Sequence, residues 1–212
     1  MATVDSLHAL LEEELKDIYD AEKQLTKALP KLAKKASSPD LKQGFEAHLR
    51  QTEAQIDRLE QVFEQLEMPA KGKPCKGMKN LIAEGDEMIG EAEDDDTRDA
   101  VMIAAAQKVE HYEIASYGTV RTWAQLLGMN EVASLLEESL DEEKEADQKL
   151  TSLAESHINL EAADQGDEEE QMSGRGGASR ARKSSTARGA RQQAAARGAR
   201  SNRGRNRSRR SR

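Results

Sequence analysis

The sequence predicts an all-α protein. Four long amphipathic helices form a bundle, a short fifth helix sits in a long crossover, and a disordered, arginine-rich tail follows. Three observations predict this. Aromatic residues make up only 3% of the 212 residues, while the helix formers Ala, Leu, Glu, Gln and Lys abound. Apolar residues recur alternately three and four positions apart along four segments, the stripe that a bundle helix buries. Charge is divided along the chain. Residues 173–212 hold thirteen Arg, one Lys and no acid, a charge of +14, which leaves 18 basic against all 40 acidic side chains in residues 1–172, a charge of −22.

The elements follow in order. The first helix spans about Ser6 to Lys35; Asp5 or Ser6 can accept from its first free N–H groups, and Ser37-Ser38-Pro39-Asp40 ends it. The second runs from about Asp40 to Glu67 and stops before Met68-Pro69. Ala70 to Gly77 is a linker containing Gly72, Pro74 and Gly77, and a shorter helix spans about Met78 to Glu91. The acidic run Glu93-Asp94-Asp95-Asp96-Thr97 leads into the third long helix, about Thr97 to Leu127, because negative charge favours a helix N-terminus. Gly128-Met129-Asn130 breaks the chain before the fourth, about Glu131 to Ser156. Two helical hairpins joined by a crossover with its own short helix have the connectivity of ferritin-like folds. Residues 1–160 are assigned to this bundle, 161–172 to an acidic linker and 173–212 to the basic tail.

The buried stripes carry the functional signal. The first helix gives Leu11, Leu15, Ile18, Glu22, Leu25 and Leu29, and the second Leu41, Phe45, His48, Thr52, Gln55, Leu59, Val62 and Leu66. The third gives Ile103, Ala106, Glu110, Glu113, Tyr117, Val120 and Ala124, and the fourth Leu136, Leu140, Glu143, Asp147, Leu150 and Ala154. Each stripe is apolar at both ends and polar near its midpoint. Aligned helices would bring Glu22, Glu110, Glu113, Glu143 and Asp147 around His48. Ionised carboxylates in a core are costly unless paired or bound to a cation. Oxygen donors with one imidazole suit iron or manganese, and carboxylates can bridge two ions.

Taken singly these residues say less. Glu22 alone fits a wide helix face, Glu143 lies in an acidic run, and His48 alone fits a core histidine. Glu110 and Glu113 are the strongest pair, because residues three apart share one helix face. The coincidence on four helices points to a metal site. Gln55 and Tyr117 are assigned a supporting place beside the ligands; Tyr117 either hydrogen-bonds a ligand carboxylate or simply packs. His111 points about 100° away from Glu110 and reads as a surface or supporting residue.

Cys75, in Lys73-Pro74-Cys75-Lys76, reads as a surface-loop thiol. One cysteine excludes an internal disulfide and a multi-cysteine zinc site, and fits a reducing compartment. The N-terminal residues do not read as a signal peptide, and no apolar run approaches the ~18 residues of a membrane span. A cytoplasmic location without membrane association is expected.

Three segments resemble the YciE/YciF ferritin-like stress proteins of bacteria. They are Tyr19-Asp20-Ala21-Glu22-Lys23-Gln24-Leu25, the stretch from Ala104 to Gly118 centred on Val109-Glu110-His111-Tyr112-Glu113, and Leu140-Asp141-Glu142-Glu143-Lys144. The resemblance spans about residues 3–160. It implies a rubrerythrin-like bundle, a homodimer, a di-iron site and stress-linked expression. The chain departs from the usual ferritin-like pattern, which takes a Glu-x-x-His motif from two helices. Here the second helix offers His48, Thr52 and Gln55 with Glu53 beside them, and the fourth offers Glu143 and Asp147 with no histidine between.

The tail's cations are Arg175, Arg180, Arg182, Lys183, Arg188, Arg191, Arg197, Arg200, Arg203, Arg205, Arg207, Arg209, Arg210 and Arg212. Such a segment has no large apolar residue and cannot form a core. It is expected to bind DNA or another polyanion by releasing counterions. The competing readings are a solvated tail and one that folds back on its own acidic domain. With no aromatic residue to stack on bases, single-strand specificity is not expected. Two functions follow. One is a di-iron protein that oxidises ferrous iron or consumes peroxide, with a DNA-associating tail. The other is a non-enzymatic DNA-associated stress protein whose bundle is a dimerising scaffold.

Overall fold

Side chains that accept from free backbone N–H groups decide where the helices begin. Ser6 has extended backbone and its hydroxyl accepts the Ala9 N–H at 3.1 Å, opening α1 (Leu7–Lys35). The Ser38 hydroxyl accepts from Leu41 at the start of α2 (Pro39–Gln65), where proline's missing N–H costs nothing. Cys75 Sγ takes the same place before α3 (Lys76–Glu91), accepting the Met78 N–H at 3.3 Å. Asp94 accepts the Thr97 N–H at 2.7 Å and opens α4 (Asp95–Leu126). After Gly128, whose φ of +77° suits glycine, comes α5 (Asn130–Leu153). A π-helical turn, Ala154–Ile158, extends it, and helical backbone continues to residue 164.

These bounds come from the computed structural model, which describes residues 5–164 and contains no strand among them. Every expected helix is present, with ends displaced by a few residues, because the acidic and serine caps lie one or two residues outside the apolar period. The basic tail and the linker beyond residue 164 lie outside the described residues.

Two apolar clusters fix the direction of each helix. One gathers Leu29, Phe45, Ile103 and Leu150; the other gathers Leu11, Val62, Val120 and Leu136. Along α1 and α5 the chain runs from the second cluster to the first; along α2 and α4 it runs the other way. Each hairpin is therefore antiparallel, while α2 and α4 run parallel. The parallel pair requires a connection that returns along the length of the bundle. Residues 66–94 supply it, with α3, about 24 Å of helix, packed on α4 and α1. Asp99 ties the first hairpin to α4: its carboxylate accepts the Ser37 and Ser38 N–H groups at 3.0 and 2.6 Å. This is the connectivity of a ferritin-like four-helix bundle. None of the helices among the described residues is long and apolar enough to cross a membrane.

The stripes traced from the sequence are buried at every position but two. Leu66, at the end of α2, is half-buried. Asp147 is half-buried because Ala146 takes the core position between Glu143 and Leu150.

Candidate metal centre

The polar midpoints of α1, α2, α4 and α5 meet in one layer between the apolar clusters. Glu22 and Glu143 are fully buried, Glu113 is 1% exposed, Glu110 3% and His48 7%. Ligand atoms of His48, Glu110, Glu113 and Glu143 all lie within 4.8 Å of one another, a group that could hold a metal ion. His48 Nε2 stands 3.3 Å from Glu110 Oε1 and 3.8 Å from Glu143 Oε2. Glu22 joins from α1. Its Oε1 accepts the Tyr117 hydroxyl at 2.5 Å, and its charge acts on both Glu113 and Glu110.

A second row of contacts holds these groups. The Gln55 amide donates to Glu143 Oε1, and to Glu142 Oε2 at 3.0 Å. Glu142 is gripped by the Arg58 guanidinium at 3.0 and 3.1 Å, and Arg58 also donates to Ser139 Oγ at 2.7 Å. Gln55 and Tyr117 thus each hydrogen-bond a carboxylate of the layer. Arg58 and Glu142 were not singled out from the sequence. Their one local signal is that Arg58 follows Gln55 by three residues on the same helix face; the pairing with Glu142 spans 84 residues.

The layer is electrostatically costly as it stands. Burial, then the Glu143 charge, pushes the Glu22 and Glu110 carboxyls well above the ordinary value. Burial, then Glu22 and Glu143, does the same to Glu113. Burial and the adjacent Glu22 raise the Tyr117 phenol too. Nine buried nitrogen and oxygen atoms of seven residues have no hydrogen bond: Glu22 Oε2, both His48 nitrogens, Thr52 Oγ1, Gln55 Oε1, Glu110 Oε2, both Glu113 oxygens and Glu143 Oε2. Buried polar groups are rarely left so, and the chemistry of this set, oxygen donors with one imidazole, fits a cation.

Two positions differ from the expectation. Asp147 lies at the edge of the layer, where its charge still acts on Glu110; its carboxylate accepts from Gln107 at 3.1 Å and faces the exposed His111 at 3.4 Å. The three-residue step from Glu143 to Ala146, in place of a four-residue step, turns it out of the core. Cys75 is not a surface thiol but is 1% exposed. Its N–H donates to Asp20 Oδ2 at 2.8 Å, and Sγ lies 3.1 Å from the Tyr112 hydroxyl, which donates to Asp17 at 2.7 Å. Gly77 permits this closure, since a Cβ there would meet Tyr112 Cε2 at 2.7 Å. Burial raises the Cys75 thiol pKa. His111 is 69% exposed at its side chain, as its direction on the helix implied.

Comparison with known proteins places this geometry in a family. Residues 6–163 match the family described as a domain of unknown function, DUF892, and the chain belongs to it. Protein YciF of Escherichia coli K12 is 52% identical over 149 residues, covering 70% of this chain and 90% of that protein. The crystal structure of the E. coli stress protein YciF covers 74% of this chain and 99% of that one, at 48% identity and TM-score 0.71. YcfI of Rhodopseudomonas palustris covers 71% of this chain and is itself covered to 98%, at 45% identity and TM-score 0.69. A Xanthomonas campestris protein at 23% identity and TM-score 0.58 shares the fold; it covers 78% of this chain and 99% of that one.

Proposed function

We propose that this protein is a ferritin-like di-metal protein of the stress response, which oxidises ferrous iron or consumes peroxide. The observation that carries the reading is the set of nine polar atoms without a hydrogen bond that four helices bring to one buried layer. Glu22, His48, Glu110, Glu113 and Glu143 are the proposed ligands. Glu113, with both oxygens free of hydrogen bonds, would hold metal through either of them. Asp147 is not among the ligands, since Gln107 and His111 engage it. Tyr117 holds Glu22, and Gln55 holds Glu143, so that their free oxygens keep one orientation. Iron would supply the electrons that oxygen or peroxide accepts; manganese suits the same donors. The stress role is the one described for the E. coli relative.

Metal analysis of the full chain, purified without chelator, tests this. Two iron or manganese ions per chain are expected, with loss of most metal in Glu110→Ala. A wild-type protein that binds neither metal, or a variant with unchanged content, overturns it.

We assign the tail a separate role, supported by its +14 charge behind residues 1–172, which carry −22. An acidic bundle is repelled by DNA, so affinity for a polyanion must come from residues 173–212. Binding should weaken steeply with salt, with a log–log slope of about −0.9 per phosphate neutralised. A gel-shift comparison at low salt between the full chain and one ending at Met172 decides it. Equal retardation, or none, removes the tail as a DNA-binding element. The tail alone would suffice for the non-enzymatic reading, and metal-free protein with full DNA affinity would favour it. We assign the protein a cytoplasmic location and a homodimeric state, the latter checked by light scattering.

A further inference from the structure

Gln55 is fully buried, and the direction of its amide matters to Glu143. A glutamine side chain carries two N–H donors at one end and an acceptor at the other. The nitrogen end faces α5: Nε2 donates to Glu143 Oε1 and, at 3.0 Å, to Glu142 Oε2, while Gln55 Oε1 has no hydrogen bond. Turned end for end, the amide would set Oε1 against Glu142, an acceptor against an acceptor that is already ion-paired. Glu142 therefore selects the end of the amide that Glu143 meets.

Glu142 is itself held from outside the layer. Its side chain is 29% exposed, so water competes for it. Arg58 takes both of its oxygens, Nη1 donating to Oε2 at 3.1 Å and Nη2 to Oε1 at 3.0 Å. A two-point grip of this kind fixes direction as well as distance. The guanidinium is anchored in turn: Nη1 also donates to the buried Ser139 Oγ at 2.7 Å, and Nε lies 3.3 Å from Glu138. With its side chain only 14% exposed, Arg58 is not one of the loose ion pairs of a solvated helix face. We propose that Arg58 is a positioning residue for the carboxylate layer: acting through Glu142 and Gln55, it fixes Glu143 with Oε2 free of hydrogen bonds and 3.8 Å from His48 Nε2. The benefit to metal binding rests on the di-metal reading; the chain of contacts is a property of the metal-free protein.

Charge and position predict opposite results. The positive charge of Arg58 reaches Glu22 in the layer. By charge alone, then, Arg58→Leu should tighten the binding of a metal cation. The double variant Arg58→Leu, Glu142→Ala, which removes one charge of each sign, should return it nearly to wild type. Position predicts that Arg58→Leu weakens binding about tenfold, the size expected for a residue that orients a ligand. It predicts no further loss in the double variant, because the two residues act in one chain. Iron and manganese affinity of the full chain, measured by competition with a chelator, separates these outcomes. Arg58→Lys keeps the charge without the two-point grip and should also bind more weakly, which covers the case of a leucine variant that fails to fold. Tighter or unchanged binding in Arg58→Leu, a double variant near wild type, or full affinity in Arg58→Lys overturns the proposal. A second readout needs no metal. The side-chain amide resonances of Gln55 in the metal-free full chain should move in Arg58→Leu, although Glu142 stands between the two residues; unmoved resonances overturn it. Moved resonances in a chain that binds neither iron nor manganese would sustain the positioning chain and sink the di-metal reading.

Discussion

At one end of the bundle Leu11, Phe63, Val120 and Leu136 are buried to within 1% exposure, packed among other apolar side chains. Two to three turns along the helices of Leu11, Val120 and Leu136, the acids Glu22, Glu113 and Glu143 are buried just as deeply, and there their free oxygens have no hydrogen-bond donor. The helices and the spacing are the same, yet the two regions obey opposite energetics. The apolar end stabilises the fold through burial and close packing. The carboxylate layer costs stability and is tolerated because the ends hold the helices together around it. Burial, then, does not distinguish core from site; the number of buried polar atoms left without partners does.

This contrast can be broken most directly at the apolar end. Phe63 is fully buried and sits edge-on to Tyr19 at 5.5 Å between ring centres. Phe63→Ala should cost about 3–5 kcal/mol in urea unfolding, while the folded variant keeps its metal content. Loss of metal at full occupancy of the fold would mean that the two regions are not separable.

The opposite sign is expected in the layer. Glu113→Leu should abolish metal binding yet make the metal-free protein more stable at pH 8, by about 1–3 kcal/mol, the penalty carried by an unsatisfied buried polar group. A destabilised metal-free variant would contradict the claim that the layer is a cost.

Proton linkage sharpens the same point. Below the ordinary carboxyl value of 4.5, Glu22, Glu110 and Glu113 are protonated in folded and unfolded chains alike. Between that value and their raised folded values, the folded chain keeps protons that the unfolded chain has released. The stability of the metal-free protein should therefore fall as pH rises above 4.5, by up to about 1.4 kcal/mol per pH unit for each such proton. Added metal should reverse the trend, since it binds the deprotonated groups. Urea melts from pH 5 to 8 with and without metal would measure both slopes; parallel slopes would argue against ligation by these acids.

The smallest effect is expected at the join between the regions. Tyr117 is fully buried with its ring in the apolar cluster and its hydroxyl on Glu22. Tyr117→Phe keeps the packing and removes only the donor. Metal affinity should drop about tenfold with little change in core stability. Unchanged affinity, measured by competition with a chelator, would reduce Tyr117 to a packing residue.

The stripe of three- and four-residue steps was enough to place Leu11, Phe45, Val120 and Leu136 in the core and Glu22, His48, Glu110, Glu113 and Glu143 among them. Periodicity is a local property, and a helix keeps its phase over many turns. Caps were legible for the same reason: Ser6 and Asp94 act within three residues of themselves.

Phase alone does not choose between steps of three and four where both fit. Ala146 and Asp147 both satisfy the stripe of α5, and packing of the neighbouring helices selected the alanine. Nor does a polar loop announce that it will be covered. Cys75 is buried because the crossover folds back along α1 and Gly77 lets it close on Tyr112, contacts between residues 35 to 95 apart in sequence. The grip of Arg58 on Glu142 is likewise made by distant segments. The sequence by itself determined the helices, their buried faces and the polar layer, because these follow from spacing along one chain. Only the tertiary structure decided which acids face one another and which cysteine is sealed, because those depend on how separate helices pack.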